Sequence, residues 1–356
     1  MTTTRREFLA MAAAPALVGL QDKSGSRPPV VGSGAYTYEA VHDWGTLPSH
    51  IKWGNTHAVV EDAQGHIHVH HTVHATSESP DTVVVFDRSG RFVRSWGRQF
   101  RGVAHGLQLR REGSSEFLYF TANATNPRLT PQPETQAAVV KTTLAGEVVW
   151  TIQGPPSVPA YREPNADGSA KRYNPTNLAI AANGDLYVGD GYGSYFINQY
   201  DRTGTHLRTF GGRGSEPGQL NEPHGIWIDA RGDSALLVVA DRRNNRLQRF
   251  TLDGQHVDFV TGFRLPCHFD ERQGLVVIPD LHGRVTLLDR ENRIVQHLGD
   301  SNAPVWNNPL RTQPRDKFIP GQFICPHGAG FDRDGNIFVV EWVEVGRVTK
   351  LRKVHG

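Results

Sequence analysis

Five histidines and one asparagine occupy equivalent positions in a series of similar segments. Each opens a short run rich in β-forming residues, and the six are His57, His105, Asn177, His224, His268 and His327. Neutral imidazole is a ligand for zinc, iron, copper and nickel, so histidines that converge from separate segments indicate a transition-metal site. The alternative interpretation is a set of channel histidines bonded only to water and backbone.

Every second member of this set shares a further feature, because His105, His224 and His327 are each followed by glycine. If the six segments surround one axis, these three side chains approach it with threefold symmetry. Three imidazoles with an open coordination position suit a catalytic zinc, which polarises a substrate oxygen or lowers the pKa of bound water toward about 7. The other threefold set, His57, Asn177 and His268, is expected in the channel beside the metal.

Two turns near these histidines carry further reactive groups. Tyr192 follows Asp190-Gly191, and Arg242 follows Asp241. Tyr192 is a candidate general base or proton donor, provided that the metal lowers its pKa from about 10. Arg242 is a candidate two-pronged donor to a substrate carboxylate. The alternative is that the aspartates close turns and the arginine forms a surface ion pair.

A repeat positions all of these residues. Each copy contains four short β-rich runs separated by Gly, Asp and Asn turns. The copies begin near Thr56, Ala104, Asn174, Glu222, Cys267 and Cys325. Six four-stranded units, with inner positions 44 to 72 residues apart, predict an all-β fold. The expected architecture is a six-bladed β-propeller in which the first strand of each blade lines a central channel.

The last copy lacks an outer strand, because only five residues follow Leu351. The segment from Tyr36 to Gly45 is similar to the outer strand of the first blade, from Arg91 to Gly97. We therefore expect the N-terminal strand to close the last blade, which removes an open sheet edge. Residues 31–356 would then form one domain.

Three proline-rich insertions, at 123–136, 154–173 and 299–323, are expected on the same end of the propeller as the histidines. Long loops gathered at one end of a rigid scaffold are where binding usually occurs.

Residues 1–30 are interpreted as a twin-arginine export signal and linker. Arg5-Arg6 precede an apolar stretch from Leu9 to Leu20, which is too short to span a bilayer. The expected location is the periplasm or the exterior, with no membrane association once the signal is removed. A plain N-terminal helix is the alternative.

The composition restricts the partners. A net charge of +2 excludes a nucleic-acid protein whose affinity depends on bulk positive charge. We expect a monomer that acts on a small-molecule or peptide-like substrate.

Two further groups of side chains leave alternatives open. Cys325 lies two residues before His327 and faces the same way, as an extra ligand or a soft neighbour of the metal; a disulfide with Cys267 is also open. The alternating histidines His66, His68 and His70 suggest either a second metal site or, as we favour, packing between blades.

The segment from Asn174 to Phe250 resembles the catalytic propeller of peptidyl-α-hydroxyglycine α-amidating lyases, which are related to NHL-repeat propellers. The matching text is Pro175-Thr-Asn, Tyr187-Val-Gly-Asp-Gly-Tyr192, Glu222-Pro-His-Gly225 and Val239-Ala-Asp-Arg242. The resemblance implies zinc ligands at His105, His224 and His327, a catalytic tyrosine at Tyr192 and an active-site arginine at Arg242. The family reaction cleaves a carbinolamide N–C bond and releases an amide and glyoxylate.

The chain departs from that family at Gly328, where the family has an aspartate that binds a structural calcium. Calcium is therefore doubtful, and the expected cofactor is Zn²⁺ or another divalent transition metal. The expected function is an exported metal-dependent carbon–nitrogen lyase that releases glyoxylate or a related carbonyl product. The alternative is a non-catalytic NHL-type propeller that binds a partner or glycan through its loop-rich face.

Overall fold

A computed structural model describes residues 27–123, 136–155, 158–165, 168–303, 305 and 308–354. These residues form six antiparallel sheets arranged as the blades of a ring, which confirms the predicted six-bladed β-propeller. The described residues include no helix long and apolar enough to cross a bilayer. Most of the predicted export signal lies outside the described residues.

Each blade is a sheet of four antiparallel strands, ordered from the channel outward, except that the last blade has five. Blade one contains β3 (Thr56–Glu61), β4 (Ile67–His71), β5 (Val83–Phe86) and β6 (Phe92–Trp96). Blade two contains β7 (Ala104–Glu112), β8 (Ser115–Ala122), β9 (Ala138–Thr143) and β10 (Val148–Ile152). Blade three contains β11 (Asn177–Ile180), β12 (Leu186–Gly189), β13 (Phe196–Tyr200) and β14 (His206–Gly211).

Blade four contains β15 (Pro223–Asp229), β16 (Leu236–Asp241), β17 (Arg246–Phe250) and β18 (His256–Thr261). Blade five contains β19 (Asp270–Arg272), β20 (Leu275–Asp280), β21 (Arg284–Leu288) and β22 (Ile294–Leu298). Blade six contains β23 (Pro326–Phe331), β24 (Ile337–Glu341), β25 (Arg347–Lys353) and two N-terminal strands, β2 (Tyr38–Val41) and β1 (Val30–Val31). The helical turns are α1 (Pro159–Arg162) and the 3-10 segments Gly34–Tyr36, Arg98–Phe100, Arg242–Asn244, Pro309–Thr312 and Arg315–Lys317.

The ring closes as the sequence predicts. Strand β2 pairs antiparallel with β25, with Tyr38 opposite Lys353 and Val41 opposite Lys350. The inner strand of blade six, β23, also contacts the inner strand of blade one, β3. Strand β1 adds a fifth strand that the sequence analysis did not predict, because two residues are too few to show a pattern.

The core lies between the blades. Strand β5, for example, is buried over its whole length, from Val83 to Phe86. Its Val83 packs in one apolar cluster with Phe120 of blade two, while its Phe86 packs in another with Phe338 of blade six. Because neighbouring blades cover both faces of this sheet, β5 is a continuous apolar run instead of an alternating pattern.

A buried acid at the end of the second strand anchors the loop that leads to the inner strand in blades three to six. Its oxygen accepts a backbone N–H from that loop at 2.5–3.1 Å; the pairs are Asp190 with Asn174, Asp241 with Asn221, Asp280 with Arg264, and Glu341 with Ile324. The backbone just before each inner-strand position is therefore fixed by a charge-assisted hydrogen bond.

Candidate metal centre

The three histidines expected to bind metal sit in β-bulges. His105, His224 and His327 lie at the starts of β7, β15 and β23, where the pairing with the second strand of the blade shifts register. His57 lies at a similar shift at the start of β3. A bulge turns a side chain away from the regular alternation, and here the four imidazole rings lie against one another in the channel.

The structure brings His105, His224 and His327 together. Their ring centroids lie 4.8 Å apart for His105 and His224, 4.8 Å for His224 and His327, and 4.9 Å for His105 and His327. All three side chains are buried. The threefold arrangement expected from alternate blades is therefore present in the ring geometry, and metal binding by it stays a prediction.

A backbone carbonyl of the next blade holds each of these rings through Nδ1. The Nδ1–O distances are 2.5 Å from His105 to Thr176, 2.7 Å from His224 to Cys267, and 3.0 Å from His327 to His57. A carbonyl only accepts hydrogen bonds, so each Nδ1 carries the proton and each Nε2 keeps its lone pair. This is the tautomer that metal-binding histidines adopt when an outer partner orients them.

The glycine that follows each histidine makes this contact possible. A Cβ at Gly106 would lie 2.8 Å from the Thr176 carbonyl oxygen, and a Cβ at Gly225 would lie 2.8 Å from that of Cys267. A Cβ at Gly328 would be closer still to the His57 carbonyl oxygen. In all three cases this is the oxygen that accepts the histidine Nδ1–H, so a side chain would push away the group that orients the ring.

The hydroxyl of Tyr192 lies between two of the histidines. Its Oη is 3.1 Å from His105 Nε2 and 3.1 Å from His224 Nε2, and Arg242 Nη2 donates to it at 3.3 Å. One hydroxyl proton can satisfy only one of the two Nε2 lone pairs. The donor set therefore fits a cation held by the Nε2 atoms.

Electrostatics keep the imidazoles neutral. Burial lowers the pKa of His105 to about 3 and lowers the pKa values of His224 and His327 well below the ordinary value. The nearby positive charge of Arg242 acts in the same direction. Neutral imidazole is the form that binds a metal, so the rings need lose no proton at neutral pH.

Arg242 is buried and ion-paired with Glu222, whose other carboxylate oxygen accepts from Arg243. Arg242 Nη1 also lies 3.7 Å from Cys267 Sγ. Burial opposes its charge, but Tyr192, Cys267 and Glu222 outweigh this and raise the pKa of Arg242. The sequence analysis gave a surface ion pair as the alternative role of Arg242. Arg242 does form an ion pair, but the pair with Glu222 is buried inside the site.

Glu222 is a site residue that the sequence analysis did not single out. The sequence feature that could have identified Glu222 is its position two residues before His224, in the loop that leads into β15. Its burial depends on Arg242 of the same blade folding back over it, which no local sequence pattern reveals.

The second threefold set differs from the first. Asn177 Nδ2 donates to His268 Nδ1 at 2.8 Å, so these two side chains satisfy each other in the channel. His57 has no hydrogen-bond partner at either ring nitrogen, and both atoms are buried. Among the described residues, ring nitrogens of His57, His105 and His327 lie within 4.8 Å of one another, close enough that they could hold a metal ion. This group differs from the predicted set, because it includes His57 and not His224.

The two cysteines are free and buried in one apolar cluster, beneath the 299–323 insertion. No disulfide joins them, and the group of metal-type ligands found among the described residues includes neither. Both cysteines are thus part of that cluster, and Cys267 also contacts Arg242. Burial raises the pKa of Cys267 to about 11 and that of Cys325 to about 12.

The other histidine group does not converge on one point. His66 Nδ1 and His68 Nε2 contact the same oxygen of Asp62, at 3.1 and 3.0 Å. The His70 ring packs edge-on against Phe120 of blade two, with centroids 5.4 Å apart. These contacts support the packing interpretation.

The described strands that flank the three insertions place the ends of each insertion where the sequence predicts. The insertions connect β8 to β9, β10 to β11, and β22 to β23, at the end of the blades where the inner strands begin. Within the second insertion, the Tyr161 hydroxyl donates to Asp190 at 2.9 Å. Most of the first insertion, residues 124–135, lies outside the described residues.

Comparison with curated proteins gives low-identity matches to amidating lyases. The chain is 25% identical over 183 residues to a probable peptidyl-α-hydroxyglycine α-amidating lyase of Caenorhabditis elegans, covering 50% of this chain and 49% of that protein. It is 25% identical over 276 residues to peptidyl-α-hydroxyglycine α-amidating lyase 1 of Drosophila melanogaster, covering 71% of this chain and 45% of that protein. No family model matches. The chain thus resembles these lyases and spans about half the length of the relatives it matches.

Comparison with solved structures supports the fold. A streptogramin B lyase structure aligns with a TM-score of 0.54 at 14% identity, covering 89% of this chain and 99% of that chain. A gluconolactonase from Xanthomonas campestris aligns with a TM-score of 0.56 at 14% identity, covering 92% and 95%. The same scaffold therefore occurs in proteins that carry different names.

Proposed function

We propose that the protein is a metal-dependent carbon–nitrogen lyase that cleaves the N–C bond of an α-hydroxylated amide and releases glyoxylate or a related carbonyl product. The observation that carries the proposal is the Tyr192 hydroxyl, which lies against two histidine Nε2 atoms and one arginine in a propeller that resembles amidating lyases. A small or peptide-like substrate would approach between the loops at this end of the propeller.

His105, His224 and His327 would hold the metal, with Zn²⁺ as the expected ion. A bound divalent metal supplies Lewis acidity that polarises a substrate hydroxyl or carbonyl oxygen. The carbonyls of Thr176, Cys267 and His57 hold the three rings in the tautomer that this role requires. These outer partners make the site rigid before substrate arrives.

Tyr192 moves the proton. This role requires the phenolate form, which the Arg242 charge and a bound metal would favour against burial. The phenolate Oη would accept the proton of the substrate hydroxyl and deliver that same proton to the departing nitrogen, so that an amide and a carbonyl product form with no net gain or loss of protons. Arg242, fixed by Glu222, donates toward the same hydroxyl and orients an anionic group of the substrate. Tyr192 as a whole residue is 39% exposed, while its hydroxyl contacts the buried histidines.

The test is glyoxylate release from an N-acyl-α-hydroxyglycine by the full chain, loaded with zinc and then stripped by a chelator. We expect stoichiometric glyoxylate and amide from the loaded protein and loss of turnover on stripping, with recovery when zinc returns. A protein that binds one zinc per chain and releases no carbonyl product from such substrates would contradict the proposal.

We also propose that the reaction takes place after export. The support is the Arg5-Arg6 pair followed by a mildly apolar stretch. Fractionation of cells that express the full chain should find it outside the cytoplasm, and a variant with both arginines changed to lysine should stay inside. Equal distribution of the two proteins would remove the export proposal.

A further inference from the structure

Among the five channel histidines, His57 is the one whose ring makes no hydrogen bond within the described part of the chain. It is 7% exposed, and neither Nδ1 nor Nε2 has a hydrogen-bond partner in the part of the chain that the structure describes. A buried imidazole that is left unbonded is costly, because both its donor and its acceptor lose their partners in water. Such a group calls for a specific explanation.

Packing places the His57 ring against the other histidines. Its centroid lies 4.8 Å from that of His327 and 5.1 Å from that of His105. Ring nitrogens of these three residues lie within 4.8 Å of one another. Nitrogen ligands on one tetrahedral zinc, at bond lengths of about 2.0–2.1 Å, lie about 3.4 Å apart, so each of these rings would move inward by roughly 1 Å to reach a shared ion.

The corresponding residues of blades three and five show that this is not a general property of the channel. Asn177 and His268 bond to each other at 2.8 Å, and the Asn177 side-chain oxygen also accepts from the Leu178 N–H at 2.8 Å. His57, by contrast, uses only its backbone carbonyl, which accepts from His327 Nδ1. Its ring is free to act as a ligand.

We propose that His57 is a fourth ligand of the metal held by His105, His224 and His327, so that the protein carries a four-imidazole centre. This proposal rests on the proposed function for the presence of the metal. The sequence between Thr56 and Ala58 fits it, because the register shift there turns the His57 side chain as the bulges of blades two, four and six turn theirs.

A four-imidazole set has a chemical consequence. It brings no negative charge, and the nearby carboxylate of Glu222 is already engaged by Arg242 and Arg243. Neutral nitrogen ligands favour zinc, copper, nickel, cobalt or iron over calcium and magnesium, which require oxygen. An ion held by these four residues would keep its full double charge, and a substrate oxygen would bind to it as a fifth ligand.

The decisive experiment is X-ray absorption at the zinc edge on the zinc-loaded full chain, which counts imidazole ligands without any variant. Alongside it, zinc affinity is measured by competition with a chromophoric chelator for the wild type, His57→Gln and His268→Gln. His268 is the matched control, since it is equally buried in the channel and its Nδ1 is bonded to Asn177. Thermal unfolding of each metal-free protein verifies the fold.

We expect four imidazoles in the wild type. His57→Gln should weaken zinc binding more than about 100-fold, beyond the 10- to 100-fold range typical of residues that only orient a ligand, and should lose one imidazole from the count. His268→Gln should stay within about 10-fold of the wild type. Three imidazoles in the wild type, or equal affinities for the two variants, would overturn the role of His57 and leave the proposed function intact. Absence of stoichiometric metal from the wild type would overturn both.

Discussion

Hydrogen-bonding roles at single atoms determine what this site can do. The Nδ1 atoms of His105, His224 and His327 are committed to carbonyl oxygens, so their chemistry is confined to Nε2. The Tyr192 hydroxyl meets two of those Nε2 atoms and an arginine, and its proton cannot satisfy both nitrogens. A cation and a mobile proton at one point are what a metal-assisted elimination needs.

At this scale we predict that Tyr192→Phe abolishes most of the turnover and spares the metal. Removing Oη deletes the group that moves the proton. A positioned general acid or base typically contributes about 10²- to 10⁴-fold to the rate. Glyoxylate release should therefore fall by that factor in kcat, while the zinc content stays at the wild-type level. A variant that kept its rate would assign proton transfer to another group.

The histidines were predictable from sequence and their neighbours were not. His105, His224 and His327 share a register in a repeat, and register fixes which side chains reach the channel. Glu222, by contrast, acquires its role from contacts with Arg242 and Arg243, which depend on how the turn after β16 folds back. The unbonded ring of His57 likewise becomes visible only when its surroundings are known.

Among the secondary-structure elements, the inner strands of alternate blades each begin with a His-Gly pair, and the two residues of the pair act together. The bulge aims the histidine, and the glycine lets the next blade bring its carbonyl within reach of Nδ1. Neighbouring blades therefore form the site together, and the spacing between inner strands becomes part of the metal geometry.

We predict that Gly225→Ala weakens zinc binding about 10- to 100-fold without unfolding the chain, because the new methyl displaces the Cys267 carbonyl that orients His224. Gly232→Ala is the control, since the nearest atom to a Cβ there is 3.9 Å away. Chelator competition on both variants is the measurement. Equal affinities would show that the carbonyl contact does not matter for the metal.

Closure of the last blade by β2 gives a prediction about stability. Tyr38 is fully buried in the core between blades five and six, whereas Val30 of β1 is 62% exposed. Tyr38→Ala should cost about 3–5 kcal/mol of unfolding free energy, as for other large aromatic truncations, and Val30→Ala should stay within about 0.5 kcal/mol. Urea denaturation measures both, and a small loss at Tyr38 would mean that this strand does not hold the ring closed.

The blade number and the closure of the ring could be predicted from the sequence, whereas some smaller elements could not. The repeat and the similarity of the segment from Tyr36 to Gly45 to the outer strand of blade one predicted both the blade number and the closure. Strand β1 and the acids that anchor the inner-strand loops of blades three to six were not predicted, since two-residue strands and loop hydrogen bonds leave no periodic signal.

For the whole molecule, buried histidines dominate the response to acid. Burial lowers the pKa values of His70, His71 and His105 to about 3 and that of His268 to about 4. In the unfolded chain these groups take up protons below about 6.5, so stability is lost as the pH falls from there toward 3–4. Asp190 and Asp270, with pKa values raised by burial to about 7 and about 6, act in the opposite direction.

We therefore predict that the metal-free protein loses stability between pH 7 and pH 5, because these histidines outnumber the opposing aspartates. Each histidine contributes up to about 1.4 kcal/mol per pH unit once the unfolded form is protonated. Urea midpoints at the two pH values test this without competition between protons and metal. A higher midpoint at pH 5 would show that the aspartates prevail.

The proposed function depends on one metal ion held by three histidines from alternate blades. The most direct measurement is elemental analysis of the untagged chain after dialysis against trace zinc, for the wild type and for His224→Ala, with His256→Ala on the outer strand β18 as the control. We expect one zinc per chain in the wild type and the control and a clear loss in His224→Ala, even though the rings of His57, His105 and His327 remain. Full zinc retention by His224→Ala, or none in the wild type, would contradict the assignment of these ligands.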